Sequence, residues 1–122
     1  MNVIIIGVLI GSLQITSYRS VPEQTDDSPF ITSTGERVCK DGVAVSQDLL
    51  KSKRIKYGDW LYIEGIGFKR INDTMHPRHK NHIDVWVATL QDEKEFHKKF
   101  KGKTVKVWIV KVQEETPNER GK

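Results

Sequence analysis

One segment of the chain holds most of its reactive side chains. Residues 70–86 contain the carboxylates Asp73 and Asp84, with ten residues between them, together with three histidines and several basic groups. Each carboxylate lies at the edge of an expected strand, where a rigid backbone would hold it in place. Two carboxylates in unequal surroundings form the arrangement that cleaves glycosidic bonds by acid and base catalysis.

Asp84 has the surroundings of a general acid. Alternation along residues 82–88 places Asp84 and Trp86 on one face of a strand, and Ile83 and Val85 on the opposite, core-facing side. Burial beside an aromatic ring disfavours the charged form of a carboxyl group and raises its pKa. We therefore predict that Asp84 is the proton carrier of a cleft.

Asp73 has more polar neighbours than Asp84, which suits an auxiliary role in the same cleft. A purely structural interpretation of both residues stays open. In that interpretation Asp73 caps a turn, and Asp84 forms an ion pair with one of two nearby basic residues, Arg78 or Lys80.

The histidines at positions 76, 79 and 82 suggest a metal site, because a spacing of three suits ligands on one turn of a helix. Pro77 argues against a helix there. A loop could still gather a zinc ion, but the segment has no HExxH pattern or similar motif. We predict that the protein binds no metal.

Short apolar segments separated by glycines predict a mainly β fold, a small six-stranded closed barrel. The segments are residues 13–18, 43–45, 60–63, 68–71, 83–87 and 105–112. One surface helix is expected over residues 90–101. Thr89 is its expected N-cap, Phe96 and Phe100 are spaced to touch on its buried side, and Gly102 ends it.

Length and charge restrict the class of protein. The 122 residues suit one domain, and 20 Lys and Arg against 16 Asp and Glu give a net charge of +4, which favours anionic partners. The lysines of residues 94–103 fit the solvated face of a helix, so nucleic-acid binding is not expected. Cys39 is the only cysteine, which excludes an internal disulfide.

The two ends of the chain differ in composition. Residues 1–12 are apolar and lack Lys and Arg; they are too short for a stable membrane span and fit either a signal-like segment or a first strand. Residues 113–122 are polar and charged, and they are expected to form a flexible tail.

Five runs of sequence resemble the 3D domain family, named for three aspartates. They are residues 15–18 (ITSY), 25–35 (TDDSPFITSTG), 41–45 (DGVAV), 72–78 (NDTMHPR) and 83–86 (IDVW). The resemblance covers residues 13–112, and the Asp73/Asp84 pair is its most specific part. It implies a double-psi β-barrel related to membrane-bound lytic transglycosylase A and to rare lipoprotein A.

The resemblance implies a function and a set of site residues. A lytic transglycosylase of this kind cleaves the MurNAc–GlcNAc bond of peptidoglycan, needs no cofactor, and acts in the cell envelope or as part of a virion. Asp84 matches the acid/base aspartate of the lytic transglycosylase A group, whereas the rare lipoprotein A group assigns catalysis to the position of Asp73. The residues implied in substrate binding are Asp27, Thr32, Ser33, Thr74, Arg78 and Trp86.

The chain departs from the family pattern at one aspartate. Many members read Ala-Val-Asp where this chain has Ala44, Val45 and Ser46, so Asp48 or Asp27 would have to replace the third aspartate. The alternative function is therefore a barrel that binds glycan strands without cleaving them, or a structural module that contacts other proteins of a phage or cell-envelope assembly.

Overall fold

The computed structural model describes residues 2–19, 41–52 and 54–115. Six strands close into a barrel in the order β1-β5-β2-β4-β3-β6, which confirms the predicted mainly β, six-stranded fold. Two neighbouring pairs, β1/β5 and β2/β4, are parallel, and the other pairs are antiparallel. The strands are β1 Asn2–Tyr18, β2 Gly42–Val45, β3 Trp60–Ile63, β4 Gly67–Thr74, β5 His82–Trp86 and β6 Thr104–Glu115.

Alternation along the strands separates the core from the functional face. In β3 and β5 the apolar residues Leu61, Ile63, Ile83 and Val85 are buried in the barrel, and the side chains between them are more exposed. The fully buried core side chains include Leu13, Val43, Val45, Leu61, Ile63, Ile71, Ile83 and Val107. Because Ile83 and Val85 are core residues, Asp84 between them lies on the outer face, as the sequence pattern predicted.

The predicted surface helix is present as α2, Leu90–Phe100. Its N-cap is Thr89, whose Oγ1 accepts a hydrogen bond from the backbone N–H of Asp92 at 3.0 Å. Phe100 is buried and Phe96 is partly buried, with ring centroids 4.7 Å apart. None of the helices among the described residues is long and apolar enough to cross a membrane.

A second helix, α1, covers Gln47–Lys51 and was not predicted. Five residues are too few to show a repeating apolar face, which is why the sequence pattern gives no sign of this helix. It follows β2 directly, with Ser46 at its N-cap position. The helix therefore forms the connection that leads the chain away from the barrel beside the start of β5.

The two end strands extend further than the sequence suggested. β1 begins at Asn2, so residues 2–12 are strand, as one of the two alternatives for this segment predicted. They pair antiparallel with β6, in a register that runs from Asn2 opposite Glu115 to Gln14 opposite Thr104. The first three residues of the expected tail, 113–115, thus belong to β6. Backbone hydrogen bonds to β1 can extend a strand even where its side chains are polar.

Candidate functional site

Four residues form a row across the outer face of the barrel, which we call the carboxylate row. Thr16 of β1 lies opposite Asp84 of β5, Asp84 lies opposite Ala44 of β2, and Ala44 lies opposite Asp73 of β4. Neighbouring strands are about 4.8 Å apart, which puts the backbones of the two aspartates roughly 10 Å apart. The fold therefore brings both sequence-predicted carboxylates to one surface, with a small side chain between them.

The Asp84 carboxyl group is an acid that stays protonated to an unusually high pH. Burial of this carboxyl raises its pKa to about 6, and the negative charges of Asp73 and Glu93 act in the same direction. A hydrogen bond from the Thr16 hydroxyl to Oδ1, at 2.8 Å, opposes these effects but does not outweigh them. Asp84 forms no ion pair with Arg78 or Lys80 in the described part of the chain.

Thr16 also connects Asp84 to a buried histidine. The Thr16 Oγ1 atom lies 2.7 Å from Nε2 of His82, which is 6% exposed. Burial, with a smaller contribution from His79, lowers the pKa of His82, so its ring is neutral at pH 7. When Asp84 is ionised and accepts the single hydroxyl proton of Thr16, His82 carries its proton on Nε2 and donates it to Thr16.

This chain of hydrogen bonds distinguishes the two oxygens of Asp84. Oδ1 already accepts a hydrogen bond from the Thr16 hydroxyl, which favours Oδ2 as the oxygen that exchanges a proton. Sequence reasoning missed the role of Thr16 and considered His82 only as a metal ligand. The contact joins residues 66 positions apart, and it depends on parallel pairing of β1 with β5, which no local pattern reveals.

Asp73 is partly buried, and its Oδ1 accepts the backbone N–H of Thr74 at 2.8 Å. The Thr74 hydroxyl donates to the carbonyl oxygen of Val45 at 3.1 Å and so joins β4 to β2. Thr74, which is expected to bind substrate, thus also fixes the backbone beside Asp73. The negative charge of Asp73 raises the pKa of Asp84, so the two carboxylates influence one another across Ala44.

The other predicted substrate-binding residues are only partly placed. Trp86 packs against a buried cluster of Tyr18, Ala44 and Met75 beside the carboxylate row. Arg78 is exposed on the loop between β4 and β5, and its backbone N–H donates to Nδ1 of His76 at 3.1 Å. Three predicted residues, Asp27, Thr32 and Ser33, lie outside the described residues.

Ser46, at the position of the missing aspartate, supports the start of β5. Its side chain is fully buried; its Oγ accepts the backbone N–H of His82 at 3.1 Å, and its own N–H donates to the His82 carbonyl at 3.0 Å. The serine thus holds in place the histidine that bonds to Thr16. Its hydroxyl also donates to Asp48.

Asp48, a candidate replacement for the third aspartate, holds a turn. Its carboxylate accepts the backbone N–H of Asn81, which has a left-handed φ of 51°. Burial acts to raise the pKa of Asp48, but hydrogen bonds from Ser46 and Asn81 outweigh it and hold the pKa below its ordinary value. These contacts position the chain as it enters β5 and do not include Asp84.

The histidines of the β4–β5 loop and β5 do not form a metal site. Within residues 2–19, 41–52 and 54–115, no group of three or more His, Cys, Asp or Glu side chains is arranged to hold a metal ion. His79 and His82 meet edge to face, with ring centroids 5.2 Å apart.

The raised pKa of Asp84 gives a stability prediction. Unfolded Asp84 ionises near 3.8 and folded Asp84 near 6, so stability falls as pH rises between these values and then stays level. We expect Asp84→Asn to be more stable than the wild type at pH 7, by up to about 3 kcal/mol, with the difference vanishing below about pH 4. Urea unfolding from pH 3.5 to 8 measures this; a pH-independent difference would contradict it.

The carboxylate row thus combines one partly buried acid with a raised pKa, a second carboxylate and a hydrogen-bonded orienting hydroxyl, and an aromatic side chain lies beside it. Comparison with known proteins adds no family to this description. A scan against protein-family models finds no match for the chain, and a search of curated proteins finds none similar to it.

Proposed function

We propose that this protein is a peptidoglycan lytic transglycosylase that cleaves the MurNAc–GlcNAc glycosidic bond and leaves a 1,6-anhydro-MurNAc end. The observation that carries the proposal is Asp84: a partly buried carboxyl with a pKa of about 6, one oxygen of which is held by Thr16. A carboxyl with this pKa is present in both forms near neutral pH, as a group that acts first as acid and then as base requires. The resemblance of residues 13–112 to the 3D domain family supports the same function.

The reaction needs one proton carrier and no cofactor. Protonated Asp84 donates the proton on Oδ2 to the glycosidic oxygen, and the bond from C1 of MurNAc to that oxygen breaks. The Asp84 carboxylate then takes the proton of the C6 hydroxyl, whose oxygen attacks C1 and closes the anhydro ring. Asp84 ends the cycle protonated, so the reaction consumes no water and gives no net proton to the solvent.

Asp73 and Thr16 have supporting roles in this mechanism. The negative charge of Asp73 raises the pKa of Asp84 and would stabilise the positive charge that develops at C1. The Thr16 hydroxyl donates to Oδ1 and leaves Oδ2 directed at the substrate. Trp86, beside the row, is suited to stack on the apolar face of a sugar ring.

The products of peptidoglycan digestion test the proposal. Purified sacculi are incubated with the protein, and the soluble fragments are analysed by mass spectrometry. A lytic transglycosylase releases anhydromuropeptides, whereas a hydrolase releases reducing ends that are heavier by one water. Reducing-end products would show that the groove activates water and would overturn the transglycosylase assignment.

Asp73→Asn should reduce cleavage less than Asp84→Asn does. Asparagine keeps the acceptor for the Thr74 backbone N–H and removes only the charge, so we expect a loss smaller than the 10²–10⁴-fold contribution typical of a proton carrier. Rates of anhydromuropeptide release from sacculi give the comparison. If Asp73→Asn is inactive while Asp84→Asn keeps most of its activity, the roles are reversed and the rare lipoprotein A assignment applies.

A non-catalytic function is the second candidate, and Ser46 favours it. At this position many members of the resembled family have an aspartate, but the Ser46 hydroxyl is buried and bonded to the backbone of His82 and to Asp48. In this case the barrel binds glycan strands, or joins other proteins of a phage or cell-envelope assembly, without cleaving them. Sedimentation with sacculi in the absence of any released anhydromuropeptide would favour this function. Either function would act outside the cytoplasm or as part of a virion.

A further inference from the structure

A groove of about 650 Å³ lies between β1 and α2, within the range of small-ligand sites. Its apolar lining comes from Ile15 of the barrel and from Leu90, Phe96 and Phe100 of the helix. We call it the basic groove because four lysines also line it, at positions 94, 98, 101 and 103.

The charge of the basic groove is unbalanced in favour of the lysines. Among the described residues that line it, Glu93 is the one acidic side chain, and its Oε1 lies 3.3 Å from Nε of Arg19 in an ion pair. The four lysine ammonium groups are therefore not neutralised by Glu93. A ligand that carries carboxylates along an apolar backbone complements this lining.

The basic groove begins at the carboxylate row. Thr16 lines the groove and at the same time donates its hydroxyl proton to Asp84. Glu93 lines the same end and lies close enough to Asp84 to act on it electrostatically. Gln14 and Lys103 line the groove further along β1 and past the end of α2. A substrate seated on Asp84 can thus continue into the groove without leaving the protein surface.

We propose that the basic groove binds the peptide stem of the peptidoglycan strand, with the stem carboxylates facing the lysines and its alanine methyl groups on the apolar lining. This inference rests on the proposed function, because it places the glycan of the same molecule at Asp84. The dimensions agree: α2 has 11 residues, so it is roughly 16 Å long. A four-residue stem spans at most about 14 Å when extended.

Binding of a soluble stem peptide tests the proposal without any cleavage. The probe is the synthetic tetrapeptide L-Ala-γ-D-Glu-diaminopimelate-D-Ala, titrated into the full chain by calorimetry at low salt. We expect the double variant Lys98→Gln/Lys101→Gln to bind it roughly 2- to 30-fold more weakly, the range for two exposed ion pairs. The matched control is Lys56→Gln/Lys111→Gln, which makes the same charge change at exposed positions outside the groove.

Two further probes identify what the groove recognises. The same peptide with amidated carboxyl groups should bind more weakly to the wild type, and added salt should weaken binding of the acidic form. Three results would each overturn the proposal. They are equal affinity for the acidic and the amidated peptide, an equal loss of affinity in the control variant and in the groove variant, and a higher affinity for a glycerol-phosphate oligomer than for the peptide. If the protein cleaves sacculi but does not bind the stem peptide, the stem-binding proposal is wrong and the transglycosylase proposal stands. If it binds the stem peptide but releases no anhydromuropeptides, the stem-binding proposal stands and the transglycosylase proposal is wrong.

Discussion

Asp84→Asn should abolish glycan cleavage while the barrel stays folded. Asparagine has the shape of aspartate and still accepts the Thr16 hydroxyl proton through Oδ1, so the hydrogen-bond chain to His82 is kept. It cannot donate a proton to the glycosidic oxygen or take one from the C6 hydroxyl. Both steps of the mechanism fail together, and we expect at least the 10²–10⁴-fold loss typical of a general acid–base group.

The measurement is the initial rate of anhydromuropeptide release from sacculi, with wild type and variant at equal concentration. Asp92→Asn is the matched control, since it makes the same substitution at an exposed position of α2 and should leave the rate unchanged. Sedimentation with sacculi should be nearly the same for all three proteins. Full activity of Asp84→Asn would remove Asp84 from the mechanism, and cleavage would then have to depend on another carboxylate.

Local sequence signals were sufficient to predict the structural features that interactions between nearby residues determine. The capping side chain of Thr89 and the i,i+4 spacing of Phe96 and Phe100 predicted α2 to within one residue at its end. Strict alternation around Asp84 predicted its face, since a core residue on each side leaves only the outer surface for it. The environment of a single strand residue is therefore readable when its neighbours are unambiguous.

The remaining features of the site depend on strand pairing, which the sequence does not display. The register of β2 and β4 shifts after Val43 pairs with Ile71, so that Ala44 pairs with Asp73 and Asn72 is left over as a bulge. If β4 alternated regularly through Asn72, without the bulge, Asp73 would face the core on the same side as Ile71. A one-residue irregularity between distant segments thus brings Asp73 into line with Asp84.

Gly42 accommodates this bulge. The buried side chain of Asn72 lies so close to Gly42 that a Cβ there would be 2.5 Å from Nδ2 of Asn72. Only glycine leaves this space without moving the asparagine. The sequence shows Gly42 as one of several glycines that separate apolar segments, and its particular role becomes visible only when β2 and β4 lie side by side.

Phe100→Ala should cause the largest loss of stability among the changes considered. The Phe100 side chain is 7% exposed, its ring contacts Phe96, and it lies beside Gly65, where a Cβ would be 3.5 Å from the ring. Truncation leaves a cavity between α2 and the barrel that the surrounding side chains can only partly fill. We expect the free energy of unfolding to fall by about 3–5 kcal/mol, the usual range for a buried phenylalanine.

Urea unfolding at pH 7 measures this loss, and Leu90→Ala is the matched control on the same helix. Leu90 is 49% exposed, so its truncation should cost less than about 1 kcal/mol. A Phe100→Ala loss as small as that of the control would mean that α2 is not anchored through this ring.

Anchoring of α2 matters for the site as well, because α2 carries Glu93, whose charge contributes to the raised pKa of Asp84. Loosening the helix should therefore lower the pKa of Asp84 and shift the activity profile toward lower pH.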